Sequence, residues 1–273
     1  MTNARLGTVI PGELSRQSGG SVYLVGAGPG DPELLTLKAA RLLASADVVL
    51  HDDLVPQAVL RHAQRAIVIN VGKRCGRKNI SQEQIDAMMV NYVRQGLSVV
   101  RLKSGDPLVF GRAGEEMDAL RAAGVPFEVV PGITAAFAAA AALRRPLTDR
   151  RSASSISFSS GHHAPGSSLE PASLAGATRV VYMPGRNFAE IAAQLRSQGL
   201  PSDLPCVVVS RAAQPDQQIV RTTLARLDRI APGPAPAILL AGEALREAHS
   251  DSVAELAGIA LSETGEPIQP SAL

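Results

Sequence analysis

The chain has 273 residues, 45% of them hydrophobic and 19% charged, which is ample for one large or two medium cores and excludes disorder over most of its length. Lys plus Arg number 27 against 25 Asp plus Glu, a net charge of +2 that excludes a polyanion-wrapping protein, and three Tyr and five Phe without Trp give no base-stacking platform. No nucleic-acid partner is expected.

In chain order, Ser21 to Val25 reads as a strand ending at Gly26, and Glu33 to Ala44 as a helix with leucines at helical spacing. Val48 to Leu50 and Ile67 to Val71 are the next strands. A helix from Ser81 to Gln95 opens with the Ser-x-x-Gln capping pattern of Ser81 and Gln84. Val99 to Leu102 is a strand, Ser104 to Gly111 a loop, Glu115 to Ala123 a helix, Phe127 to Val130 a strand, and Ile133 to Leu143 an alanine-rich helix stopped before Pro146. Alternating strands and helices predict a parallel sheet wrapped by helices. Beyond Pro146 the serine-rich segment Ser152 to Ser160 and the loop-like Gly161 to Leu174 mark a change of texture. Strands follow at Arg179 to Met183, Cys206 to Ser210, Gln218 to Arg221 and Ala237 to Leu240, with a helix over Phe188 to Ser197. The expectation is two mixed α/β domains, residues 21–146 and 147–261, between mobile tails at residues 1–20 and 262–273.

Cys75 and Cys206 cannot by themselves form a zinc tetrad or the disulfide frame of a secreted domain, so they are expected as free thiols. His162 and His163 are adjacent, point apart and have no carboxylate pair at ligand spacing, so no metal is expected. The longest apolar run, Ala135 to Leu143, is less than half of the ~20 residues that a spanning helix needs, and the first twenty residues hold no apolar signal core. The default is a cytoplasmic protein with no membrane partner.

The loop Gly26-Ala27-Gly28-Pro29-Gly30-Asp31-Pro32 follows the first strand, and Asp52 ends the second, an arrangement that invites a dinucleotide-binding reading. The third glycine comes one position early, however, and Pro29 and Pro32 lack the amide donors that a pyrophosphate needs. The same loop also reads as a bare tight turn, or as a fixed backbone for a neutral or cationic ligand. The loops that start at Ser104-Gly105-Asp106 and at Pro131-Gly132 also follow strands. In a parallel sheet all three open on one carboxyl-end edge.

The strings VYLVGAGPGDPELLTLKAARLLASADVVLHDDLV, VGKRCGRKNISQEQID, VVRLKSGDPLVFGRAGEE, FEVVPGITAA, RPLTDR, SSGHH, VVYMPGR and PAILLAGE span most of Val22 to Glu243. Together they resemble the tetrapyrrole (corrin and porphyrin) methylases that use S-adenosylmethionine, and the VGKR, FGRAGEE and PLTDR strings favour the members that act on uroporphyrinogen III. The resemblance implies two α/β domains with the active site in the cleft between them, usually in a homodimer. It also implies two successive methyl transfers, at carbons 2 and 7 of uroporphyrinogen III, giving precorrin-2 by way of precorrin-1 for sirohaem, cobalamin or haem d1. At this length no fused dehydrogenase or ferrochelatase is expected.

Carried over by position, the family's contacts to S-adenosylmethionine, or to its product S-adenosylhomocysteine, fall on Pro29, Ser104, Gly105, Asp106, Val109, Thr134, Ala135, Met183 and Ala212, with the backbone around Ala241 and Gly242 a further candidate. The family's catalytic positions fall on Asp52, Lys73, Arg112 and Glu115, and Arg112 and Arg150 are the first choices for substrate carboxylates. An arginine is a poor base, so Asp52 or Glu115 ranks ahead of Arg112 as proton acceptor. The chain departs from the family's pattern at His51, Ser104, Ala113, Asp149 and Ser210-Arg211-Ala212-Ala213, which bears on cofactor and substrate affinity more than on reaction class. The sequence leaves open a methylase of another tetrapyrrole, a nicotinamide-dependent reductase and a non-catalytic binding protein.

Overall fold

A computed structural model describes residues 20–72, 80–161, 176–231 and 233–246. The tails, Lys73, Cys75, His162 and His163 lie outside the described residues.

The first sheet contains β1 (Val22–Gly26), β2 (Val48–His51), β3 (Ile67–Asn70), β4 (Val99–Lys103) and β5 (Phe127–Val130) in the order β3-β2-β4-β1-β5. Every pairing in it is parallel. Its central strands are buried on both faces, which is why they read as continuous Val/Leu runs. Val25, Val49, Val100 and Leu102 pack with Leu42 and Leu43 of α1 (Leu37–Ser45) and Val59 of the short α2 (Gln57–Leu60). On the opposite face Val22, Leu24, Leu50 and Val99 pack with Ile85 and Met89 of α3 (Gln82–Arg94) and Leu120 of α4 (Ala113–Ala122).

One sequence expectation is refined and another is met. The helix predicted over Glu33 to Ala44 is split into a 3-10 turn over Pro32–Leu34 and α1, because Leu35 and Thr36 are extended and the Thr36 hydroxyl caps the Ala39 amide at 3.1 Å. The capping box of Ser81 and Gln84 is present as read.

The second sheet is mixed: β6 (Ser155–Ser160), β7 (Ala177–Tyr182), β10 (Ala237–Ala241), β8 (Pro205–Ser210) and β9 (Gln218–Thr223), in that spatial order. β6 and β7 are parallel, whereas β10 runs antiparallel to both β7 and β8, and β9 antiparallel to β8. One face carries α6 (Phe188–Ser197) through Phe188, Ile191 and Leu195. The other carries α5 (Ala135–Leu143), whose Ala136, Ala139 and Leu143 join Val180, Val209 and Leu240. Thus α5, which composition places with residues 21–146, packs on the second sheet. The face it turns to the sheet is mostly alanine, which allows close approach, while Phe137 stays half-exposed.

Among the described residues no helix is long and apolar enough to cross a membrane, and no group of His, Cys, Asp and Glu could hold a metal ion. Cys206 is a free, buried thiol, and burial pushes it up to about 12.

Candidate active site

Asp52 and the loops after β1, β4 and β5 meet at the carboxyl edge of the first sheet, the position at which parallel sheets bind ligands. The loops are fastened to one another through the main chain. The Ala27 amide donates to the Lys103 carbonyl at 2.7 Å, Gly28 donates to Gly105 at 3.2 Å, and Gly105 donates back to Gly28 at 2.8 Å. An added Cβ on Gly26 would lie 2.6 Å from the Gly132 Cα and 2.6 Å from the Gly105 carbonyl oxygen, so glycine is required where the three loops touch. Asp106 completes the lock, its Oδ1 accepting from the Leu108 amide at 2.8 Å and its Oδ2 from the Gly132 amide at 3.0 Å.

The amides of Ala27 and Gly28 are thus consumed inside the protein, and Pro29 and Pro32 have none to offer. That geometry removes the basis for a pyrophosphate cradle.

Facing these loops is the edge of the second sheet, and between them lies a cleft of about 200 Å³. The first unit contributes Pro29, Asp52, Ser104, Gly105, Asp106 and Val109; Thr134 and Ala135 come from the start of α5. Tyr182, Met183, Val209, Ala212 and Ile238 form the opposite wall. The mouth is apolar, with Leu54, Phe110 and Met183 lining it and remaining exposed. Among the described lining residues the only charged side chains are Asp52 and Asp106. The cleft therefore suits a partly apolar ligand with cationic or hydrogen-donating groups and repels phosphate.

Thr134 occupies the N-cap position of α5, but its hydroxyl meets the Tyr182 phenol at 2.7 Å instead of capping the helix. Burial pushes the Tyr182 phenol up, against the hydrogen bond from Thr134. The Phe110 ring packs against the Tyr182 ring in a tilted arrangement, centroids 4.9 Å apart and planes at 50°. Gln214 ties the two walls together, its side-chain amide donating to the Pro29 carbonyl at 3.2 Å. Several backbones at the rim are left-handed without being glycine: Phe110, Arg112, Met183, Arg211 and Ala213 have φ between 50° and 59°. Such positions cost about 1–3 kcal/mol each and concentrate at binding sites. Ala212 itself is not among the left-handed residues; its two neighbours Arg211 and Ala213 are.

The remaining sequence candidates are distributed differently. Arg112 and Glu115 form a bidentate pair at the start of α4, Nε to Oε1 at 2.8 Å and Nη2 to Oε2 at 2.5 Å, both half-exposed and outside the cleft lining. The Glu115 hydrogen bond holds the Arg112 guanidinium above its ordinary value. Arg150 is exposed in the turn bridged by Asp149 and Ala153. Asp149 there is bound by Arg151, through its amide at 2.8 Å and its Nη2 at 2.8 Å, and is held down at about 2. The structure does not bring Ala241 to the cleft. It is fully buried at the far end of β10, paired with Cys206 and Arg179, about 13 Å along the strand from the cleft-lining Ala237.

Beneath Asp52 lies a buried charge network that the sequence reading missed. Arg101 donates from Nη2 to Asp52 Oδ1 at 2.5 Å and from Nε to Glu116 Oε1 at 2.8 Å. Lys103 Nζ lies 2.9 Å from both Glu116 oxygens, with hydrogen-bonding geometry at Oε1 only. Burial, reinforced by Arg101, pushes the Lys103 ammonium down against the pull of Glu116 and Asp52. Burial also acts against the Arg101 guanidinium, but Asp52 and Glu116 outweigh it and hold it above its ordinary value. The available signal was two charges, Arg101 and Lys103, set at alternate positions in an otherwise apolar central strand.

Residues 21–228 match the family described as Tetrapyrrole (Corrin/Porphyrin) Methylases. The chain belongs to the tetrapyrrole methylases. It is 48% identical over 235 residues to the uroporphyrinogen-III C-methyltransferase of Paracoccus denitrificans, covering 82% of this chain and 80% of that protein. It is 46% identical over 232 residues to a siroheme synthase of Actinobacillus pleuropneumoniae, covering 83% of this chain and 48% of that one. The chain thus spans about half the length of the siroheme synthases it matches. The crystal structure of the uroporphyrin-III C-methyltransferase of Thermus thermophilus, complexed with S-adenosylhomocysteine, superimposes with a TM-score of 0.74 at 41% identity, covering 83% of this chain and 99% of that one. In this methylase the two-sheet architecture is accordingly the family's, and the cleft lies between its two sheets.

Proposed function

We propose that this methylase transfers methyl groups from S-adenosylmethionine to carbons 2 and 7 of uroporphyrinogen III, giving precorrin-2 by way of precorrin-1, as a homodimer in the cytoplasm. The observation that carries the reading is the cleft itself: apolar walls, two carboxylates, no lining Lys or Arg among the described residues, and a wide apolar mouth. That donor set fits a sulfonium cofactor with a cationic amino group, and it fits a nicotinamide dinucleotide poorly.

Pro29, Ser104, Gly105, Asp106, Val109, Thr134, Ala135, Met183 and Ala212 would hold the cofactor. When bound, S-adenosylmethionine supplies an already activated methyl group, so the protein needs no covalent nucleophile. Its work is to hold the pyrrole carbon in line and exclude water, which effective-molarity arguments value at up to about 7–11 kcal/mol. Arg112 and the exposed Arg150 would take substrate carboxylates. The Glu115 pairing preserves the charge of Arg112 and occupies both Glu115 oxygens, so Glu115 is poorly placed to accept a proton. Asp52 lines the cleft and is the proposed acceptor of the proton that leaves the bridging carbon after the new carbon–carbon bond forms.

The test is anaerobic incubation of the protein with uroporphyrinogen III and S-adenosylmethionine, following tetrapyrrole mass. Addition of two methyl groups is expected. Asp52→Asn is expected to lower kcat by about 10²–10⁴-fold with S-adenosylhomocysteine affinity unchanged. No added mass would move the activity to another tetrapyrrole, and full turnover by the variant would remove Asp52 as the acceptor.

A further inference from the structure

We propose that Arg101, anchored from behind by Glu116, is a positioning residue that fixes the Asp52 carboxylate at the cleft. This rests on the reading of Asp52 as proton acceptor.

The geometry assigns almost every donor of the Arg101 guanidinium. Nε is held by Glu116 and Nη1 lies 3.3 Å from the Leu50 carbonyl, so Nη2 is directed onto Asp52 Oδ1. Arg101 is 3% exposed and cannot swing out to solvent, and Glu116 is fully buried. Asp52, in contrast, has a side chain 31% exposed and lines the cleft, and no described residue hydrogen-bonds to its Oδ2. One carboxylate oxygen is therefore clamped from inside and the other left for the ligand. The clamp is also matched to the sheet, since Arg101 sits opposite Leu50 in the β4–β2 register, two residues before Asp52.

A solely structural role explains this poorly. A buried ion cluster costs desolvation that apolar residues of the same volume avoid, and apart from Lys103, itself in the cluster, the other positions of β4 are apolar. Its charges are two of each sign, with Asp52 the only member that reaches the cleft. The other groups around it reinforce this assignment. His51 Nδ1 meets the Asp52 carbonyl oxygen at 2.9 Å, Asp53 turns its Oδ1 to Asn70 at 2.8 Å, and from α3 Gln82 reaches Glu116 with Asp86 behind it. Asp106, on the same wall of the cleft, has both oxygens on backbone amides. Among the described residues, the cation bonded to Asp52 is Arg101.

The test compares the wild type, Arg101→Gln, the double variant Arg101→Gln/Glu116→Gln, and Arg101→Gln in an Asp52→Asn background. The readouts are kcat, KM, S-adenosylhomocysteine affinity, thermal stability and the Asp52 side-chain position in crystal structures. In the single variant kcat is expected to fall by about tenfold or more, with KM and cofactor affinity within about twofold, and the Asp52 carboxylate is expected to leave its wild-type position. In the double variant, which removes the stranded Glu116 charge, stability is expected to recover while kcat stays low. In the Asp52→Asn background the further loss of kcat from Arg101→Gln is expected to be less than about twofold, because the two residues act as one unit. Unchanged kcat in Arg101→Gln, full recovery of kcat in the double variant, or an undiminished loss in the Asp52→Asn background overturns the proposal. If Arg101→Gln does not fold, the double variant decides by the same criteria. Should the wild type not methylate uroporphyrinogen III, the functional reading fails, while an unmoved Asp52 carboxylate in the variant structures still overturns the clamp and a displaced one still supports it.

Discussion

At the residue scale, single carboxylates have distinct tasks that their partners set. Asp106 is a lock on two loops: both of its oxygens hold backbone amides. Removing a charged acceptor from two amides costs roughly 1.5–3 kcal/mol per bond before relaxation. Asp106→Ala is therefore expected to lower Tm and to weaken S-adenosylhomocysteine binding at least tenfold by calorimetry, because the loops after β4 and β5 lose their shared anchor. Asp149 is instead tuned by one neighbour. Its carboxyl is held down at about 2 by Arg151, so whatever it contributes to the turn is complete above the usual carboxylate range near pH 4 and is lost as pH falls through about 2. Carboxyl NMR should place its midpoint near 2, and Arg151→Ala should return it toward the ordinary value.

These roles could not be read from residue type. Asp52, Pro29 and Ser104 to Asp106 were legible because a parallel sheet gathers loops at one edge. Arg101 and Glu116 were not, since their partners come from different elements and meet only after β4 pairs with β2 and α4 packs over both. The motif string ending Glu115-Glu116 directed attention to Glu115. Helix geometry sends the two side chains in different directions, one to Arg112 at the surface and the other inward to Arg101 and Lys103.

At the element scale, strand positions were legible to within a residue or two wherever burial on both faces produced a Val/Leu run. The interior of the helix around Thr36 was not, because the backbone of Leu35 closes the 3-10 turn and the Thr36 hydroxyl caps the start of α1. The partner of α5 was equally hidden: a helix apolar all round carries no stripe to say which sheet it faces. Ala139 on that helix is fully buried against the second sheet's core. Ala139→Leu is expected to cost about 1–3 kcal/mol in urea denaturation by overpacking. The capping box of α3 is a smaller element-level term: Ser81→Ala should cost about 1 kcal/mol.

At the scale of the whole molecule, the two sheets meet across a cleft lined from both sides, and Gln214 provides a direct polar tie between them. Its side chain also packs on Gly30, where an added Cβ would lie 2.7 Å from the Gln214 Cγ. Gln214→Ala removes that tie without touching either core. Cofactor affinity is expected to fall several-fold with Tm nearly unchanged, which calorimetry and a thermal melt on one preparation would check. Loss of Tm without loss of affinity would assign Gln214 to folding instead.

The contact among Gly26, Gly105 and Gly132 has a consequence for how the site tolerates change. The cradle's shape is written in main-chain atoms that press on one another, so lining side chains that hold no loop and take no part in the chemistry have room to vary, while the backbone beneath them has none. Ser104 is a position of the permitted kind, since its side chain belongs to the lining and the contact is made by Gly26, Gly105 and Gly132. A methyl group on Gly26 or Gly132 is of the other kind, driving strand ends apart by the width of an atom. Redesign of ligand preference therefore has its room on the walls and rim, and none at the seam where the three loops join.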